Sequence, residues 1–268
     1  MLGKLSEEDF AVLRGPFESG RQSPQSLAAM LLVSTFAQVL MFVLTYIVAA
    51  DTTRFPNKEI IYQIHLIITI ILIILSIIYA LPPCFKSISG QRTQYLVVML
   101  VSQNLFGIFL FISALFIIGE GNLITNESIV MFIYATLLLG GLIFLFTCIR
   151  FYLLLKRGEY RKGSKKDINR FVIEDNIKSF IPLIIFGSVG AFFIIRFVIE
   201  NYYYMDSESI GIVLIGIALF YSMLFVLPEQ LVILYCKYRF ESFNFNEKGE
   251  LKPMYLQHTI NHKESVRT

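Results

Sequence analysis

The chain has 268 residues, a formal net charge of +3, 56% hydrophobic residues and only 16% charged ones, and a mean hydropathy of +0.66. A soluble domain of this length buries a full core without so large an apolar excess, so an ordinary water-soluble protein is excluded. The apolar stretches are long and unbroken, which also excludes a transmembrane barrel of short alternating strands.

Residues 1–26 are mixed and polar and are read as a cytoplasmic amino-terminal segment without a signal peptide, so that the first span directs insertion. Ser6 ahead of Glu7, Glu8 and Asp9 has the form of a helix cap, and a short amphipathic helix over 7–14 on the membrane surface is expected. Six apolar runs follow, at 27–50, 60–81, 95–118, 129–155, 180–199 and 210–236. A helix of about 18 residues reaches about 27 Å, enough to cross the hydrocarbon. The fold expected is therefore all-α, a polytopic transmembrane helical bundle over 27–240, with six spans arranged as three hairpins.

Lysine and arginine set the orientation, because they are retained on the cytoplasmic side during insertion. Of the loops assigned to the outside, the first carries Arg54 and Lys58, and those after 118 and after 199 carry none. The amino-terminal segment, the turn holding Lys86 and Arg92, the connection 156–178 and the tail hold nearly all the rest, so both termini are expected in the cytoplasm. The basic stretch "KRGEYRKGSKKDINR" is then positive-inside excess that faces lipid headgroups, and no nucleic acid is expected. The polar tail, 241–268, contains two short strand-like pieces around "NEKGE" that could close a small hairpin, followed by a loose end.

Within the spans, ionisable groups are the first places to look for function. The last run contains the unusual triplet Pro228-Glu229-Gln230. Proline and an acid suit the first turn of a helix, so the span is expected to end near Leu227 and a second helical piece to begin there. Glu229 lies 19 residues beyond Ile210 and Arg150 lies 21 beyond Ile129. Both therefore sit about 30 Å down their helices, at the inner boundary, where a structural or gating ion pair is expected. Arg196 is read as an outer-interface anchor that snorkels toward Glu200 or Asp206, and His65 as reaching water near the outer end of its span. A mid-depth polar layer is formed by Gln38, Gln103, Asn104, Ser188 and Ser222, with Gly140, Gly141, Gly187 and Gly190 beside it. Amides and small residues join helices, and the same groups could line a solute site. The layer is read as holding no ionisable residue, which counts against ion-coupled transport.

No catalytic constellation emerges. "GSVG" lacks a nucleophile elbow, there is no phosphate-binding loop, and His258 and His262 have no third ligand, so no enzyme, metal or cofactor is expected. Cys84, Cys148 and Cys236 are assigned to the reducing side and expected to be free thiols. The functional expectation is a protein of a bacterial cytoplasmic membrane that contacts lipid and acts through a protein partner or as a homo-oligomer. The partner role is that of an accessory subunit or of an immunity protein against a toxin. A small transporter using the mid-depth layer and a membrane enzyme with an interfacial site near Glu229 remain as alternatives.

Overall fold

The computed structural model describes residues 2–51, 53–120, 126–168 and 207–254. Five long helices are present among them: α1, Pro24–Ala49; α2, Lys58–Ala80; α3, Ile88–Ile118; α4, Asn126–Lys156; and α5, Ser207–Arg239. Each is long and apolar enough to cross a membrane. The apolar run 180–199 lies outside the described residues.

Local chemistry explains where the helices begin. Ser23 accepts the Ser26 N–H at 3.2 Å and Pro24 occupies the first turn, a standard start for α1. Ser87 does the same for α3, accepting the Gly90 N–H at 3.0 Å. A Cβ at Gly90 would overlap the Cys84 carbonyl oxygen, so this turn requires glycine. Outward faces carry large exposed apolar side chains, among them Val33, Phe36, Ile47, Met131 and Leu138. Patches of this extent suit lipid rather than water.

The most enclosed helix is α3. It packs beside α1 and α2 on one flank and antiparallel to α5 on the other. The register with α5 runs from Arg92 donating to the Lys237 carbonyl, through Gln103 with Gln230, to Phe111 stacked on Phe220. The two backbones come close at Gly216, where a Cβ would stand 2.7 Å from the Leu110 carbonyl oxygen. Among the described residues α4 packs mainly on α5 rather than α3, and the two run in the same direction: Tyr221 donates to Thr136 O, and both helices reach a common pocket near Arg150 and Glu229.

One end of the bundle is closed by a folded cap outside the long helices. The 3₁₀ helix Glu7–Arg14 begins at Ser6, whose N–H donates to the Asp9 carboxylate at 2.8 Å. It is packed into the core at this end of the bundle rather than standing apart from the long helices. Phe10, Leu13 and Phe17 are fully buried against Phe243, Phe245 and the ends of α3, α4 and α5. Full burial of a phenylalanine gains roughly 1.5–3 kcal/mol, which decides the docked position over a solvated one. The tail turns at Gly249 and makes one antiparallel bridge, Phe245 with Leu251. It packs on the amino-terminal segment and the start of α3.

Polar bonds tie the cap together. Arg161 pairs with Asp9 at 2.7 Å, Arg14 donates to Lys252 O, and Arg239 donates to the Leu2 and Gly3 carbonyls at 2.9 Å each. Burial works to raise the Asp9 pKa, but hydrogen bonds from Arg161 and Ser6 and the arginine charge outweigh it and hold the carboxyl below its usual range. Lys237 is buried, donating to Phe243 O at 2.9 Å and sitting 4.6 Å from the Phe17 ring centroid.

Candidate functional site

The triplet Pro228-Glu229-Gln230 does not end a helix. Helix α5 continues through Pro228 to Arg239, which corrects the expectation of a second helical piece. A proline removes one backbone donor and crowds the preceding turn, so neighbouring groups must serve the disturbed carbonyls. The carbonyl that Pro228 leaves without its helical donor is that of Leu224. Gln103 on α3 lies beside this stretch: its Nε2 donates to Met223 O at 3.2 Å and to Gln230 Oε1 at 3.0 Å, so one amide joins α3 to α5 on both sides of the proline.

Arg150 and Glu229 do reach the same place. They line a cavity of about 120 Å³ with Thr147, Phe151, Tyr160, Lys166 and Phe225. The Arg150 guanidinium lies 5.9 Å from the Phe225 ring centroid, and the Lys166 ammonium 4.0 Å from that of Tyr160. Burial and then the charge of Arg150 push the Lys166 pKa down, while Glu229 and Glu159 pull it up. Sequence reasoning missed Lys166 here, because it lies beyond the end of α4 and returns to the pocket only through the turn at 157–164.

The polar layer divides. Asn104 is buried and bonded to His65 on α2 at 2.9 Å. The asparagine Oδ1 can only accept, so His65 Nε2 donates to it, and Nδ1 accepts from the Tyr46 hydroxyl at 2.8 Å. His65 therefore does not reach interfacial water. It is buried between α1 and α3, and the polar layer does contain an ionisable side chain, which corrects both expectations. Tyr46 and Asn104 both lie in π-helical turns, Leu44–Ala49 and Asn104–Ile108, which re-aim side chains within an otherwise α-helical run. Gln38 is fully buried on α1, and its amide atoms have no hydrogen-bond partner among the described residues. Ser222 bonds back to Ala218 O and faces a groove between α4 and α5, apart from Gln38 and Asn104. Gly140 lies against Leu224 and Phe220, and no heavy atom of the described residues stands within 4 Å of a Cβ at Gly141.

Ser188, Arg196, Gly187 and Gly190 lie outside the described residues, as do His258, His262, Glu200 and Asp206. Cys84, Cys148 and Cys236 are free thiols. Among the described residues no three metal-ligating side chains cluster. No family model matches the chain, and neither a curated protein nor a solved structure matches it.

Proposed function

We propose that this chain is a six-span protein of a bacterial cytoplasmic membrane, with both termini inside, that acts without chemistry of its own by docking a protein partner on its basic end. The observation that carries this reading is the cap. Segments more than 230 residues apart in sequence are bound into one folded face, with Arg239 holding Leu2 and Gly3 and Arg14 holding Lys252. Its rim exposes Arg21, Arg157, Arg161, Lys162 and Lys165, a surface suited to an acidic partner.

Six crossings are supported by direction. Helices α4 and α5 run the same way, so residues 168 and 207 stand at opposite ends of the bundle. The apolar run 180–199 is long enough for the return. The cytoplasmic assignment of the cap rests on its excess of lysine and arginine over the other end, where Arg54 and Lys58 are found.

The test is copurification from native membranes in a mild detergent, comparing the wild-type chain with Arg157→Glu/Lys162→Glu. A stoichiometric protein lost only from the charge-reversed chain supports the reading. A clean homo-oligomer with no protein partner overturns it.

A second reading, a small transporter, is favoured by the buried Gln38 amide and by His65 bonded within the same helix layer. A bound polar solute retained by the wild type and lost from Gln38→Leu would support that reading.

A further inference from the structure

The α4–α5 face contains a feature that partner docking at the cap does not use. A groove of about 650 Å³ runs between the two helices, lined by Leu142, Phe146, Tyr221, Phe225 and Val226. At the basic end it meets the Arg150–Lys166 cavity, and Thr147, Phe225 and Val226 line both. An apolar trough thus leads into a pocket holding two cations and one carboxylate.

Three properties of this joint narrow its occupant. The first is depth. Arg150 lies 21 residues beyond Ile129, about 31 Å along the helix, where the hydrocarbon gives way to headgroups. The second is charge. Arg150 and Lys166 face one pocket; Glu229, which is already engaged in an interaction, is the carboxylate in its lining, and Glu159 acts on Lys166 from outside it. An added anion would relieve the repulsion between the two cations. The third is shape. From Arg150 back to Leu142 is eight residues, about 12 Å of apolar trough, which a free inorganic anion would leave unfilled.

We propose that the α4–α5 groove binds one anionic phospholipid of the inner leaflet, with its phosphate on Arg150 and Lys166 and an acyl chain along Leu142, Phe146 and Val226. Arginine suits this role because its planar fork takes two phosphate oxygens at once. The aromatic faces of Phe225 and Tyr160 hold the two cations in place before the lipid arrives, which lowers the cost of ordering them. Lys162 and Lys165 are exposed on the same loop and do not line the pocket, so they serve as an internal control for general attraction of the basic loop to anionic membranes.

The experiment is native mass spectrometry of the full chain in detergent. Phosphatidylglycerol or phosphatidylcholine is titrated against the wild type, Arg150→Gln/Lys166→Gln and Lys162→Gln/Lys165→Gln. The expected result is one retained phosphatidylglycerol per chain, with at least tenfold weaker retention in the pocket variant and little change in the control variant. Phosphatidylcholine should be retained at least tenfold less well by the wild type. Ser222→Trp, which fills the trough from an exposed position that does not line the cation pocket, should also weaken retention while keeping the thermal midpoint within about 2 °C of wild type, and so separates loss of the site from loss of the fold. Equal retention of the two lipids, or equal loss in the two double variants, overturns the proposal. Displacement of the lipid by millimolar inorganic phosphate would make this a free-anion site and also overturns it. So would an efficient disulfide between a cysteine at Thr147 and one in 180–199, because the groove would then be filled by the chain itself.

Discussion

Replacing Gln91 with alanine should release the tail from the bundle. Gln91 is buried at the start of α3 and treats Phe245 as a strand partner would: its Oε1 accepts the Phe245 N–H at 2.8 Å, and its Nε2 donates to Phe245 O at 3.1 Å. Truncation removes both bonds and leaves a buried peptide unit without partners. Each lost bond is worth about 0.5–1.5 kcal/mol, and a stranded buried group adds desolvation, so roughly 2–4 kcal/mol is expected in total. For a chain of this size that corresponds to a fall of about 5–15 °C in thermal midpoint. The effect should begin locally: limited trypsin digestion at Lys248, which is exposed near the tail turn, should accelerate before the helices unfold. Gln91→Glu should recover little, because a carboxylate can accept from Phe245 N–H but cannot donate to its carbonyl. A midpoint within 1 °C of wild type, together with unchanged cleavage at Lys248, would refute the claim that this side chain pins the tail.

Other outcomes follow from the same geometry. Gly216→Leu should separate α5 from α3 and lower the detergent-solubilised midpoint sharply, since even a Cβ would meet the Leu110 carbonyl; Gly211→Leu, with no heavy atom within 4 Å of its Cβ, should be close to neutral. Because Asp9 has a folded pKa below its unfolded value of about 3.8, its stabilisation is present above that value and is lost as pH falls through the lower folded one. Melts between pH 7 and pH 3 should therefore show an acid-side loss in the wild type that is smaller in Asp9→Asn. If Arg150 and Glu229 support each other across their shared pocket, alanine at either should destabilise by about 1–3 kcal/mol and the charge swap should partly restore stability. Equal melts of all four proteins would remove that coupling.

The transmembrane character was legible because continuous apolar length is a local property: the described helices begin and end within a few residues of their runs, except at α3, which starts at Ile88 ahead of its run from 95. What failed depended on neighbours. Pro228 looked like a boundary because nothing local reveals that α5 continues through it, held to α3 by Gln103, which bonds Met223 O on one side and Gln230 on the other. His65 was placed near water by counting residues from the start of its helix, which cannot show that α1 and α3 enclose it and supply Tyr46 and Asn104. Phe10 and Leu13 fell on the amphipathic helix expected over 7–14, and the residues that complete their cluster, Phe243 and Phe245, lie more than 225 positions further along the chain. Lys237, a charge at the end of an apolar run, gave no sign that the same aromatic cluster buries it. The co-location of Arg150 and Glu229 was legible, because both helices start at the same boundary and rise equally per residue.

The cap joins residues 2–18 to residues 240–252 at one end of the bundle, and the proposed function puts that end in the cytoplasm. The most direct test is labelling by a membrane-impermeant maleimide in intact cells, using single cysteines in a background with Cys84, Cys148 and Cys236 changed to serine. Cysteines at Ser19, Lys162 and Glu247 should label only after the membrane is permeabilised, while one at Arg54 should label in intact cells. Labelling of the three cap positions without permeabilisation, or of one cap position but not the other two, would contradict the account.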